Sequence, residues 1–243
     1  MGKITKARCA TDYNAQQFSE YKSYSLDKIY TQKVIQLLKK IKHKHQMRVL
    51  DIGCADGSFA LHLQEMGFNV FGIDISSEAI RKAKQKGVDA MVHDVSERFP
   101  FKSDSFDIVV CMEVIEHIYD TDFLINELNR IMKQRGLLIL TTPNLASLSN
   151  RIRLLFGKHP HLSEYRLGNE NSGHIRNYTK RALVMQLKEY GFKIRKVVAP
   201  NAPFPMSLKL PEVIKRFFMV LGDLRLFSSI GYLLIVYAEK IDM

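Results

Sequence analysis

The stretch Val49-Leu50-Asp51-Ile52-Gly53-Cys54-Ala55-Asp56-Gly57 decides the reading of this 243-residue chain. An apolar strand breaks there into a turn of small residues, and a helix begins near Ser58. Small residues in such a turn let backbone amides approach a ligand and aim a helix N-terminus at it. From Met47 to Lys133 short β-like apolar runs alternate with helical patterns, the signature of a parallel sheet with helices on both faces. Strands are predicted at 47–52, 69–74, 88–93, 106–112 and 136–142, and the runs at 192–198 and 232–238 supply two more. The connection to the last strand carries its own helical segment, so the residues alone leave its direction open.

Helix signals punctuate the strands. Ser76 or Ser77 caps SEAIRKAKQK, which Gly87 ends, and Asp120 or Thr121 with Gly136 bracket FLINELNRIMKQR. Thr179 caps ALVMQLKEY before Gly191. Upstream, Leu26, Ile29, Tyr30, Val34, Leu37, Leu38 and Ile41 fall at near-helical spacing, so residues 1–46 are expected to be a helical segment packing on a core domain of residues 47–243. Two stretches interrupt the regularity, 144–178 and the Pro-rich, then apolar, 200–230. Insertions beyond the C-terminal strand ends are where open α/β sheets place substrate selectivity.

The dinucleotide-binding pattern G-x-G-x-x-G would need glycines at 53, 55 and 58, where the chain has Gly53, Ala55 and Ser58. The quoted stretch instead resembles the class I S-adenosylmethionine-dependent methyltransferase motif, an acidic residue followed by G-x-G-x-G, here Asp51 with Gly53, Ala55 and Gly57. Ala55 departs from the middle glycine and should fit if its φ is negative. Asp74, 21 residues past Gly53, ends the second strand, where a carboxylate can accept both ribose hydroxyls. The resemblance implies a Rossmann-like doubly wound sheet of order 3-2-1-4-5-7-6 with strand seven antiparallel. It is strongest with the ubiquinone-biosynthesis O-methyltransferase branch. It also implies that S-adenosylmethionine, leaving as S-adenosylhomocysteine, lies against Cys54, Ile75, Asp94, Val95, Cys111 and Met112, with Asp94 on the adenine amino group and Met112 an apolar contact to the adenosine.

Directly after the fourth strand comes Glu113-Val114-Ile115-Glu116-His117. If helical, this spacing puts the three polar groups on one face. His174, at the end of the first insertion, could close over the same pocket. His117, His174 or Glu113 could act as catalytic base. Alternatively Glu113, Glu116, His117 and His174 could hold a divalent metal, an arrangement that looks like that of small-RNA 2′-O-methyltransferases and some quinone methyltransferases. A purely structural role, capping the strand-four turn, stays open beside both.

The leading expectation is therefore methyl transfer to an oxygen, less readily a nitrogen, of a small or lipid-like metabolite. RNA 2′-O-methylation and a non-catalytic cofactor-binding regulator are the alternatives. A formal charge of +11 suits nucleic acid, anionic lipid or an acidic small molecule without choosing among them. Within the first insertion Arg151, Arg153, Lys158, His159, His161 and Arg166 interleave with Leu154, Leu155 and Phe156. A packing helix is the first reading of that segment, and binding of a phosphate, carboxylate or lipid headgroup, or peripheral membrane contact, the second. The apolar run Leu208, Leu210, Val213, Ile214, Phe217, Phe218, Val220 and Leu221 reads as core packing, then as a greasy acceptor pocket or dimer face. Cys9, Cys54 and Cys111 fit neither a disulfide framework nor a zinc site. With no apolar run near the roughly 18 residues of a spanning helix and no leader or lipidation signal, the chain is expected to be cytoplasmic.

Overall fold

A computed structural model describes residues 26–163, 173–200, 211, 213 and 227–241. Seven strands form one sheet: β1 Arg48–Ile52, β2 Asn69–Asp74, β3 Asp89–Val92, β4 Phe106–Met112, β5 Met132–Pro143, β6 Phe192–Val198 and β7 Leu233–Lys240. Their order is β3-β2-β1-β4-β5-β7-β6. β1 to β5 pair in parallel, and β7 runs antiparallel to both β5 and β6, as the resemblance implied. Among the described residues six helices flank them: α1 Ile29–Leu38, α2 Ser58–Glu65, α3 Ser77–Gln85, α4 Thr121–Ile131, α5 Leu148–Leu155 and α6 Lys180–Glu189.

Two apolar layers cover the faces of the sheet. One joins Leu50, Ile52 and Val109 to Leu124, Leu128 and Leu187, under α4 and α6. The other joins Val49, Val110 and Ile139 to Phe59, Leu63 and Ile80, and takes in Tyr30, Val34, Ile35 and Leu38 of α1. Burial on both faces accounts for strands written as near-continuous apolar runs rather than as alternating ones. Helix starts follow the signals in the sequence. Ser76, Asp120 and Thr179 each accept a hydrogen bond from the amide three residues on, those of Ala79, Phe123 and Ala182.

One helix end departs from expectation. α4 stops at Ile131 instead of running to Gly136, because Met132 already pairs with Phe106, and β5 resumes register only at Leu137 opposite Ile108. The extra residues bulge around Asp107, which accepts from Lys133 Nζ at 2.9 Å and from the Arg48 amide at 2.9 Å. Arg135 is the left-handed residue there (φ 60°). Gly136 serves close approach, since a Cβ would sit 2.7 Å from the Lys133 carbonyl oxygen. Residues 208, 210, 214, 217, 218, 220 and 221 of the second apolar run, and Arg166 of the first insertion, lie outside the described residues.

Candidate active site

Parallel register brings the ends of the central strands to one edge. Ile52 lies opposite Ile73 on one side and Cys111 on the other, and Asp74 opposite Val92. The turn after β1 is folded onto the end of β2. Gly53 and Cys54 donate their amides to the Ile73 carbonyl at 2.9 and 3.0 Å, and Ala55 donates to Asp74 Oδ2 at 2.9 Å. Asp74 Oδ1 accepts from Ser76 N at 2.8 Å, so one carboxylate ties the turn to the start of α3. Burial raises the Asp74 carboxyl above its ordinary range, opposed by the amides of Ser76, Ala55 and Ile75.

Gly53 and Gly57 take positive φ (71° and 73°), and Ala55 does too, at 48°. The expectation of a negative φ at Ala55 is thus overturned, because holding Gly53, Cys54 and Ala55 on β2 forces the chain through a left-handed step there. Such a step costs a residue with a Cβ about 1 kcal/mol. Ala55→Gly should therefore leave the fold intact and shift stability by no more than about 1 kcal/mol, glycine's chain entropy offsetting the relieved strain. Urea unfolding measures it, and a loss above about 2 kcal/mol would mean that the methyl group packs usefully.

Asp56, which the sequence reading passed over, fastens the other side of the turn. It accepts from Lys86 Nζ at 2.5 Å and from Ser58 N at 3.2 Å. Nothing in the spacing of residues 56 and 86 announces that contact. Asp51 is buried under the turn, and burial first, then the charge of Asp74, pushes its carboxyl up to about 8. Cys54 and Cys111 are buried with thiols pushed upward by burial, so both are inert. Cys54 Sγ fills the space above Gly72, where a Cβ would come within 2.7 Å of it. Ile75 and Asp94 are half-buried just past β2 and β3, and Val95 and Met112 are buried. The Asp94 Oδ1 accepts from Ser96 N at 2.8 Å.

The Glu-x-x-Glu-His segment is not one helix. Glu113 has φ 56°, and only Ile115–His117 makes a single 3-10 turn. Glu113 turns toward β5, where its Oε1 accepts from Thr141 Oγ1 at 2.7 Å. Burial pushes its carboxyl up to about 7. Glu116 and His117 meet His174, their ligand atoms lying within 4.8 Å of one another. Glu113 is not in that group of three. The segment from Gly173 is strapped onto the turn, since Ile175 and Arg176 both donate their amides to the Glu116 carbonyl at 2.9 Å.

Each histidine also faces a backbone carbonyl, His117 Nδ1 on Gly173 O at 3.0 Å and His174 Nδ1 on Leu162 O at 2.9 Å. A carbonyl only accepts, so Nδ1 carries a proton in both rings, and the neutral form of either ring has its basic lone pair on Nε2. The rings lie 4.9 Å apart. Burial, then the neighbouring His174, lowers His117 to about 4. Burial, then Glu113, raises Glu116 well above the carboxylate range, opposed by its own amide and the Thr142 hydroxyl, and its Oε1 lies 3.9 Å from His174 Nε2. The two halves of the site touch, because a Cβ on Gly53 would lie 2.6 Å from Val114 Cγ2.

A seven-stranded sheet of this order, with its reversed strand and a small-residue turn bound to the carboxylate ending β2, is the architecture of class I S-adenosylmethionine-dependent methyltransferases. The chain belongs to that group: the family model described as a methyltransferase domain matches residues 21–197. It is 34% identical over 122 residues to an uncharacterized protein of Methanocaldococcus jannaschii, covering 50% of this chain and 52% of that one. It is also 35% identical over 103 residues to the ubiquinone biosynthesis O-methyltransferase of Xanthomonas oryzae pv. oryzae, covering 40% and 43%. The chain thus spans about half, or less, of the length of these curated relatives. Among solved structures, an S-adenosylmethionine-dependent methyltransferase from Mesorhizobium loti superposes with TM-score 0.61 at 16% identity, covering 89% of this chain and 100% of that one.

Proposed function

We propose that the protein transfers a methyl group from S-adenosylmethionine to a hydroxyl oxygen of a small or lipid-like metabolite, the His117–His174 pair taking the proton. The observation that carries this reading is the close approach of Gly53 to Val114, three residues before His117, which brings the segment bearing the proton acceptor up to the turn proposed to hold the donor. The sulfonium is already an activated leaving group, so the chain has chiefly to align the acceptor and accept its proton. With the methyl group passing from the sulfonium to the acceptor oxygen and S-adenosylhomocysteine as the leaving group, the hydroxyl proton would pass to an imidazole Nε2 of His117 or His174. Similarity to ubiquinone-biosynthesis O-methyltransferases favours oxygen as acceptor atom. The alternative, metal-dependent RNA 2′-O-methylation, draws on the Glu-x-x-Glu-His pattern together with the net positive charge.

For the cofactor, we assign Asp74 to the ribose hydroxyls, Gly53, Ala55 and Gly57 to close backbone approach, and Asp51 to the cationic end. We further assign Asp94, Val95, Cys111 and Met112 to the adenosine, Asp94 to the adenine amino group. A divalent metal fits Glu116, His117 and His174, since two imidazole nitrogens and a buried carboxylate with their ligand atoms within 4.8 Å of one another are a suitable donor set. Bound there, it would supply Lewis acidity toward an acceptor oxygen.

Calorimetry with S-adenosylmethionine and S-adenosylhomocysteine tests the cofactor assignment, and methyl-donor turnover on metabolite pools tests the rest. Asp51 sets the pH dependence. A cation beside it favours the ionised form, but below about 8 the carboxyl is protonated in the free protein. Affinity should therefore rise with pH up to about 8 and then level off, with a limiting slope of about tenfold per pH unit. Binding near neutral pH should release a proton, and Asp51→Asn should abolish both effects. The folded pKa lies above the unfolded one, so the stability of the ligand-free protein falls as pH rises toward 8 and Asp51→Asn removes that fall. A flat affinity profile would take Asp51 out of the cofactor site.

A further inference from the structure

Strand register gathers a second set of charges at the far end of the sheet. Arg48 opens β1 opposite Asn69, Phe106 of β4 pairs with Met132 of β5, and Lys240 ends β7 opposite Phe192, so these residues share the edge away from the cofactor turn. Leading into that edge, residues 39–48 read KKIKHKHQMR, with no aspartate or glutamate. Lys39, Lys40, Lys42, His43, His45 and Arg48 are exposed. Lys44 and Arg48 lie over the rings of Phe68 and Phe106, 5.8 and 5.1 Å from the centroids, which holds the run against the fold. The β5 bulge adds cations that sequence spacing does not place there. Asp107 accepts from the Arg48 amide and from Lys133 Nζ, both at 2.9 Å, and exposed Arg135 precedes Gly136, whose Cβ would lie 3.2 Å from the Asp107 carbonyl oxygen. Two carboxylates of this edge are already matched, Asp107 by Lys133 and Asp104 by Lys240, each at 2.9 Å. Among the described residues no carboxylate pairs with the side chains of Lys39, Lys40, Lys42, Arg48 or Arg135.

We propose that this edge docks the phosphate backbone of duplex RNA. Cations without an apolar centre select that occupant, since the centre of a protein interface is apolar and aromatic and a bilayer is entered through apolar side chains. Of the large apolar side chains exposed among the described residues, only Ile241 belongs to or adjoins these segments, and the rings of Phe68 and Phe106 are buried. Buried rings leave no platform on which unpaired bases could stack, which points to a double helix held by its backbone. The edge consists of a helix end, turns and strand starts, not of a helix or ribbon that could enter the major groove of DNA. Duplex RNA is bound mainly through its shape and backbone. The five residues of β1, at about 3.3 Å each, separate the edge from the cofactor turn by about 16 Å. The stretch of RNA docked here is therefore not presented to the His117–His174 pair, and the docking does not depend on what accepts the methyl group.

The test is fluorescence anisotropy of the full chain with a labelled RNA duplex of about 16 base pairs over a range of salt concentrations. Affinity should fall with salt at a log–log slope of about −4.5, as about five phosphate contacts require. Lys39→Glu, Lys40→Glu and Lys42→Glu combined should lower affinity at least about thirtyfold at about 0.1 M salt. The control makes the same change in net charge elsewhere, with Arg81→Glu, Lys158→Glu and Arg181→Glu combined, all exposed side chains on α3, past α5 and on α6. It should stay within about threefold of wild type. Both variants should keep the wild-type circular dichroism and calorimetric binding of S-adenosylhomocysteine. Equal losses in the two variants would reduce the effect to net charge and overturn the proposal, as would a wild type that leaves the duplex unbound. A DNA duplex bound as tightly as RNA would overturn the choice of RNA. Phosphatidylglycerol vesicles bound through Lys39, Lys40 and Lys42, with RNA unbound, would assign the edge to a lipid surface and overturn it too. No arm measures methyl transfer, so failure here is separate from failure of the catalytic reading.

Discussion

His117→Asn and His174→Asn are each expected to lower methyl transfer by about 10² to 10⁴, with S-adenosylhomocysteine binding unchanged. Asparagine suits this test because its amide can still donate to Gly173 O or Leu162 O, where Nδ1 donates now, while the Nε2 lone pair is lost. A role confined to bracing the strap would be largely rescued by that substitution, whereas a role in taking a proton would not. The pH profile separates the groups further. His117, lowered to about 4, stays neutral across the working range, so it should not set the acid limb. Glu113, pushed up to about 7, titrates within that range, and Glu113→Gln should remove any activity change centred there. Activity within about threefold of wild type in both histidine variants would sink the base assignment.

Gly53→Ala should destabilise the protein by about 3 kcal/mol, through two separable causes. The positive φ of 71° contributes about 1 kcal/mol, and the added Cβ, placed 2.6 Å from Val114 Cγ2, contributes the remainder. Val114 is β-branched and has little rotamer freedom to move aside. Pairing the substitution with Val114→Ala should recover the steric part and leave the conformational part. Chemical denaturation of the four species in a double-mutant cycle reads the coupling directly. If the two changes are additive, the turn and the Glu113–His117 segment are not in the contact the structure describes, and the link between cofactor and base fails with it.

Much of the scaffold was legible in the chain because its signals are local. Strand runs buried on both faces, capping residues such as Ser76 and Thr179, and glycines such as Gly87 and Gly191 act within a few residues of themselves. The α4 boundary was not legible, because the pairing of Met132 with Phe106 and the clasp of Lys133 on Asp107 are decided across the sheet. Ala55 misled for the same reason. Its φ is set by the amide it gives to Asp74, 19 positions away. The insertion helix misled in the opposite sense, since its apolar spacing suggested packing, while Asn150 and the chain before β7 hold the helix with Leu154, Leu155 and Phe156 outward.

By itself the sequence determined the class of protein, since the turn at 51–57 and acidic residues at successive strand ends are carried by residue type and order. Tertiary structure alone decided which polar groups meet. It sent Glu113 to Thr141 and brought His174 across 57 positions to His117. The physical reason is that both arrangements depend on groups from other elements of the fold, the Thr141 hydroxyl for Glu113 and the Gly173 and Leu162 carbonyls for the histidines. A spacing of three or four residues encodes a shared face only where the backbone is helical, and at Glu113 it is not.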